Sequence, residues 1–227
     1  MTAVRAKSYC AATDPGKKSG VLLTARDVEI LQFVNTFGFC EMPQLMARFG
    51  WTKARSYQIL KRLTDAGLLV YQRIFHGRPG IYRVSPQGAG HTDFPALRQI
   101  NFNNYNHSLA ITDVYLHLRK KHPQAEWLSE RELIQQKYAG GVGKSGHLPD
   151  GILLLAGKED EKIAIEVELR SKAKARLENI IKWYTAQFEF TEVWYFCPEN
   201  VAKTVKGALS ESHSKFIKVF SLREIMS

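Results

Sequence analysis

The chain has 227 residues, 44% of them hydrophobic, which suits one or two domains with cores of their own. No apolar run approaches the length of about 18 residues that a membrane-spanning helix needs. The net charge of +10 is uneven, with residues 1–100 at +8 and residues 101–227 at +2, so a polyanionic partner, nucleic acid first, is expected of the front half.

The opening Met1–Cys10 lacks the apolar core of a signal peptide. Cys10, Cys40 and Cys197 are odd in number, far apart and form no CxxC. That spacing argues against a disulfide framework or a structural zinc site, and for free thiols in a cytoplasmic protein. Residues 1–20 read as a flexible lead-in whose Lys17 and Lys18 serve either phosphate contact or solubility.

Residues 21–85 read as a small helical domain with a hairpin. Thr24 is an N-cap with Asp27 at the third helical position, and Ile30, Leu31 and Val34 form a buried stripe ended by Gly38. Pro43 opens a short second helix through Leu45, Met46 and Phe49. A third helix is predicted from about Thr52 to Ala66, with Tyr57, Leu60 and Leu63 facing in and Gly67 closing it. Two strands, 68–73 and 81–84, flank the turn residues His76-Gly-Arg-Pro-Gly80. Three helices and a basic hairpin are the winged helix-turn-helix plan. Lys53, Arg55, Ser56, Gln58, Lys61 and Arg62 are assigned to the outward face of the third helix, as candidate contacts to base edges and phosphates. Arg73, Arg78 and His76 are assigned to the wing. The same module can also make protein contacts.

Residues 86–102 carry Pro86, Gly88, Gly90 and Pro95 without a period and read as a linker. Residues 103–227 alternate helices and strands, which implies a mixed sheet. A helix is predicted over Tyr105–Lys121, with His107 near its start as a packed histidine or a contact at the edge of a site. Glu126–Ser129 reads as a strand, and Glu130–Ile134 as a turn into a short helix. Glu130 is either solvated or within reach of the acidic site. Gly143-Lys144-Ser145 resembles the end of a phosphate-binding loop, but Tyr138 stands where that loop needs glycine, and a strand follows instead of a helix. A nucleoside triphosphatase is therefore rejected, and Lys144 is left as a phosphate contact on a glycine-rich loop.

His147-Leu-Pro-Asp150-Gly opens an apolar strand, and Lys162–Leu169 alternates, with Ile163, Ile165, Val167 and Leu169 on one side and Ala164, Glu166 and Glu168 on the other. If these strands pair, Asp150, Glu166 and Glu168 converge. Like carboxylates brought together repel, and a hard divalent cation such as Mg2+ or Mn2+ removes that cost. An amphipathic helix over 170–184 follows, burying Leu177, Ile180, Ile181 and Tyr184, with Arg170, Lys172, Lys174 and Arg176 outside or toward the site. A strand over 190–196, a helix over 200–211 and a strand over 216–220 complete the chain.

An Asp, then Glu-x-Glu about sixteen residues on, then a basic helix, resembles the PD-(D/E)xK nuclease core. Pro149-Asp150 and Glu166-Val167-Glu168 carry the match, and Glu168 replaces the usual lysine. Lys172, Lys174 or His147 could supply the missing positive charge, and Glu168 could bind metal or act as a base. Together with the predicted winged helix, Leu23-Thr-Ala-Arg-Asp27, His107, His147-x-x-Asp150-Gly and Glu166-x-Glu168, the chain resembles the replication-relaxation proteins of plasmids, and among them the MobC-type mobilisation relaxases. The resemblance implies recognition of a plasmid origin of transfer and cleavage of one DNA strand with Mg2+ or Mn2+, alongside accessory relaxosome or coupling proteins. It leaves monomer or homodimer open. There is no histidine triad of HUH type and no evident nucleophilic tyrosine, since Tyr57, Tyr105 and Tyr184 have structural readings. Hydrolysis and a covalent route both stay open. Two further readings remain, a DNA-binding replication or regulatory protein with an inactive nuclease-like domain, and a restriction-type endonuclease.

Overall fold

The computed structural model describes residues 22–139, 146–157 and 161–225. Lys17, Lys18, Cys10 and Lys144 lie outside them. The front of the chain forms α1 (Ala25–Phe37), β1 (Cys40–Glu41), α2 (Met42–Phe49), α3 (Lys53–Asp65), β2 (Leu69–Gln72) and β3 (Ile81–Val84). The three strands make an antiparallel sheet in the order β1-β3-β2. Ile30, Leu31, Val34, Leu45, Leu60, Leu63, Leu69 and Val84 fill the core between helices and sheet.

The inner face of α3 differs from the sequence expectation. Ser56, Ile59, Leu60 and Leu63 are buried there, while Tyr57 is 61% exposed. One residue along a helix is a rotation of about 100°, so choosing Ser56 as the inward position turns Tyr57 out. The Ser56 hydroxyl donates to Thr52 O at 2.9 Å, which satisfies it without solvent.

Residues 86–102 hold a short helix, α4 (Pro86–Ala89), and buried Phe94. They are tied down rather than free-running. Asn35 of α1 donates to Phe94 O at 2.6 Å and to the Thr92 hydroxyl at 2.7 Å.

The remainder follows as α5 (Tyr105–Lys121), β4 (Glu126–Ser129), α6 (Glu130–Tyr138), β5 (Gly151–Leu154), β6 (Lys162–Val167), α7 (Lys174–Thr185), β7 (Glu192–Cys197), α8 (Glu199–Ala208), α9 (Glu211–Phe216) and β8 (Ile217–Ser221). The five-stranded sheet runs β4-β5-β6-β7-β8. Its first three strands are antiparallel, and β6, β7 and β8 are parallel. This is a mixed α/β architecture. β6 is covered on both faces. Ile163, Ile165 and Val167 meet α5 through Ala110, Ile111 and Val114. Ala164 lies on the opposite side among Leu177, Ile181 and Tyr184 of α7 and Val201 of α8. The alternation read from the sequence is thus real, but each side is buried, as both-face coverage requires.

α5 also carries the front of the chain. Gln44 of α2 donates to Leu109 O at 2.9 Å and to Asp113 Oδ1 at 2.8 Å. Arg131 of α6 donates to Asn35 O, Asn35 Oδ1 and Pro95 O at 2.6–2.7 Å. Among the described residues no helix is long and apolar enough to cross a membrane.

Asp27 shows how α1 and α3 lock together. Its Oδ2 accepts from Thr24 N at 3.0 Å in a capping box, and its Oδ1 takes the Arg62 guanidinium. Burial works to raise the pKa of this carboxyl, but the Arg62 and Thr24 hydrogen bonds outweigh it and hold the group below its usual value. Such a group stabilises the fold fully above the unfolded carboxylate value near 4 and loses that contribution as pH falls through its lower folded value. Asp27→Ala should therefore cost about 1–3 kcal/mol at neutral pH. The loss would be read as a lowered urea midpoint, and the midpoint of the variant should fall less steeply than the wild type's below about pH 4.

Candidate active site

The antiparallel register of β5 and β6 sets Gly151 opposite Ile165, and the Asp150 N–H continues the ladder to Ile165 O at 3.0 Å. Asp150 and Glu166 therefore both lie at one end of the sheet, one residue beyond the paired Gly151 and Ile165. Gly151 is needed at the turn into β5, because the Trp127 ring occupies the space a Cβ would take.

Two helices reach this end from opposite faces. From α5, His107 Nε2 lies 2.8 Å from Val167 O and 3.2 Å from Asp150 Oδ2. A carbonyl oxygen only accepts, so this nitrogen carries the proton. Val167 N also donates to Asp150 Oδ2 at 2.7 Å. From α7, Tyr184 donates to Glu166 Oε1, and His147 Nε2 sits 2.7 Å from the same oxygen. The His147 ring is held edge-to-face by Trp183 and Tyr184, with centroids 5.6 and 5.4 Å away.

The electrostatics follow from burial. Glu166 is 4% exposed. Loss of solvent raises its pKa, and the Asp150 charge adds to that against the opposing pull of His147 and Tyr184. For His107, burial works downward, but Asp150, the Val167 carbonyl and Glu130 more than compensate and hold the ring above its usual value. Glu130, exposed at the rim on α6, is raised by partial loss of solvent and then by the charges of Asp150 and Glu166. The Tyr184 phenol is pushed well up by burial and by Glu166. Lys172 is lowered, with burial outweighing the favourable charges of Glu166 and Asp150.

Of the predicted site residues, Asp150, Glu166 and His147 come together, and Lys172 approaches them from the loop before α7. Glu168 continues the sheet through its N–H to Phe196 O at 2.9 Å, and its carboxylate pairs with Lys172. Lys174 does not join the site: its side chain is 85% exposed and lies 4.0 Å from Glu178. Arg170 and Arg176 are exposed, and the charge of Arg176 is felt at Lys172. The helix expected from Arg170 begins only at Lys174. The added ladder bond at Glu168 carries the chain past β6, and the turn that follows uses the intervening residues.

The candidate nucleic-acid side chains divide likewise. Lys53, Arg55, Gln58, Arg73, His76 and Arg78 are exposed. Lys61 is exposed and pairs with Asp65 at 2.7 Å. Ser56 is corrected to a buried position, whereas Arg62 is exposed as expected and also pairs with buried Asp27. Arg78 at the hairpin tip donates to Asn106 Oδ1 at 2.6 Å, one residue before His107.

Sequence reasoning missed Tyr195 and undervalued Tyr184. Tyr195 is the β7 register partner of Glu166, and its buried hydroxyl has no hydrogen-bond partner among the described residues. Only the pairing of β6 with β7 reveals it.

The donor set fits a hard cation. Each carboxylate commits one oxygen to protein donors, Oδ2 for Asp150 and Oε1 for Glu166. The other oxygen of each accepts no hydrogen bond from a described residue. Among the described residues no group of three or more His, Cys, Asp or Glu is placed to hold a metal ion, so protein donors alone would number two. Mg2+ suits two carboxylates, because it keeps waters and takes substrate phosphate oxygens as its other ligands.

Comparison with models of known protein families, with curated proteins and with solved structures finds no match for this chain.

A buried carboxylate with a raised pKa costs the fold stability as pH climbs through the carboxylate range, and the full stability is present only below the unfolded value. Glu166→Gln keeps the volume and removes the charge. It should raise the urea midpoint at pH 7, by about 1–2 kcal/mol of stability, even if it removes activity.

Proposed function

We propose that this protein is a metal-dependent DNA endonuclease that nicks one strand. In this reading the front of the chain is a winged helix-turn-helix that binds DNA, and the rear is a PD-(D/E)xK-like nuclease. The biological assignment is a plasmid relaxase of the replication-relaxation, MobC type, acting at an origin of transfer with accessory proteins. The observation that carries the reading is the placement of Asp150 and Glu166 at one end of the β5–β6 pair, near enough that the charge of Asp150 is felt at Glu166 and the charges of both at Lys172. The element order α5-β4-β5-β6-α7-β7, interrupted only by α6, agrees with it. So do the exposed cations of α3 and the hairpin.

Asp150 and Glu166 would hold Mg2+ or Mn2+, which when bound polarises a phosphodiester and lowers the pKa of a water. His107 fixes Asp150 through Nε2, and His147 with Tyr184 fixes Glu166, so each carboxylate is held by one oxygen and keeps the other for a cation. Lys172 supplies positive charge to the phosphate oxygens as negative charge builds on them. Its pairing with Glu168 positions the ammonium. Hydrolysis by water is favoured over a tyrosine-linked intermediate. Tyr184 is buried and donates to Glu166, and Tyr105 is bonded to Glu41 with its pKa pushed up to about 12 by burial and that glutamate.

One observation favours the alternative of an inactive nuclease-like domain: both carboxylates already have protein donors. Supercoiled plasmid carrying the cognate origin, incubated with and without Mg2+ or Mn2+, separates the two. The active reading expects open-circular product that requires metal and disappears with Asp150→Ala. Lys172→Ala should slow nicking by about a hundredfold. Unchanged nicking in Glu166→Ala would sink the proposal, and linear product would point to a restriction-type endonuclease instead.

A further inference from the structure

A second feature of the front module stands apart from the acidic cluster. Between α3 and the β2–β3 hairpin is a cavity of about 440 Å³ lined by Tyr57, Tyr71, Tyr82, Pro79, Met42 and Lys61, among others. That volume falls within the range of about 300–1,000 Å³ common to small-ligand sites. Tyr57 and Tyr71 are 61% and 49% exposed, an unusual investment of large rings at a surface. Tyr71 leans over Gly80, where any side chain would overlap its ring, and meets Tyr82 with centroids 5.1 Å apart. No hydrogen bond from a described residue engages the hydroxyls of Tyr57, Tyr71 or Tyr82. The cavity thus offers flat aromatic walls and three uncommitted phenols.

Its surroundings are cationic. Lys53, Tyr57 and Lys61 recur every four residues and share one side of α3. Residues 66–92, which include the whole hairpin, contain no Asp or Glu, while Arg73 and Arg78 are exposed on it. The acid that lines the cavity, Asp65, is paired with Lys61 at 2.7 Å. A planar group with polar edges, attached to a phosphate chain, matches walls, hydroxyls and charge together. An acidic or apolar peptide matches only one of these features.

We infer that the cavity between α3 and the hairpin receives an unpaired nucleobase of a DNA strand, stacked against Tyr57 and Tyr71 while the neighbouring lysines and arginines hold its backbone. Base–aromatic stacking of this kind tolerates any sequence, because every base has a π-face. The inference rests on the proposal that the front of the chain binds DNA. It adds that the protein grips DNA in an opened form, a substrate state that duplex contacts by α3 alone would not require.

Fluorescence anisotropy of the full chain tests it, with an end-labelled strand of mixed sequence used alone and annealed to its complement. Tyr57 is exposed, so Tyr57→Ser should fold normally, which circular dichroism checks. The expected result is single-strand binding weakened about fivefold or more in Tyr57→Ser, restored in Tyr57→Phe, with duplex binding unchanged. Equal single-strand binding by wild type and Tyr57→Ser, with duplex binding present, overturns the stacking site and leaves the DNA-binding proposal standing. Equal weakening of strand and duplex also overturns it, since Tyr57 would then be a general backbone contact. Absence of binding to either DNA overturns both.

Discussion

Two acidic side chains at one end of a sheet, Glu166 almost wholly buried and also feeling the charge of Asp150, need compensating donors, and those donors tie the rear half of the molecule together. Asp150 and Glu166 stay at the same end of the sheet, because Gly151 pairs with Ile165 and the Asp150 N–H donates to Ile165 O. The protein answers with donors. His107 and the Val167 amide serve Asp150, and His147 and Tyr184 serve Glu166. Those donors come from α5, β6, α7 and the segment before β5, so the helices on both faces are held to the same point. A fold optimised for stability alone would place an apolar pair here, since replacing buried charge by packing is often neutral or stabilising. Two retained acids, each with an open oxygen, are what the proposed cation site would need.

α5 joins this site to the front of the chain. Its inner face covers Ile163, Ile165 and Val167, and its other flank receives Gln44, while Phe37 of α1 meets Tyr115 with centroids 5.0 Å apart. At its N-terminus, Asn106 accepts from Arg78 of the hairpin, and the next residue is His107. A ligand that moved the hairpin would therefore act within one residue of a side chain that orients Asp150. The segment 86–102 adds to this connection through Phe94 and Pro95, which are tied to Asn35 and Arg131.

Much of this was legible in the sequence where periodicity and caps are strong. Thr24 with Asp27 marked the start of α1, the apolar spacing marked α5, and the alternation over Lys162–Val167 marked β6 with Glu166 on its own side. Short elements escaped, because β1 with two residues and α4 with four carry no period. The outward face of α3 was misjudged at Tyr57 and Ser56, since hydrophobicity was taken to decide which residue turns in, and a small serine fits against the core better than a phenol does. Arg62 is exposed as its place on α3 implies, but its pairing with Asp27 is not legible, because nothing local shows that a buried carboxylate 35 positions away waits for it. His107 and Tyr195 depend on which helix and which strand lie beside β6, and that is a property of the assembled sheet.

The claim at the centre is that Asp150 and Glu166 together bind one hard cation. Calorimetric titration of the full chain with Mn2+ tests it without reference to DNA or catalysis. Wild type should bind Mn2+ saturably, and binding should be lost in both Asp150→Asn and Glu166→Gln while the variants remain folded. Binding that survives in both variants, or no binding by wild type at millimolar Mn2+, would contradict it.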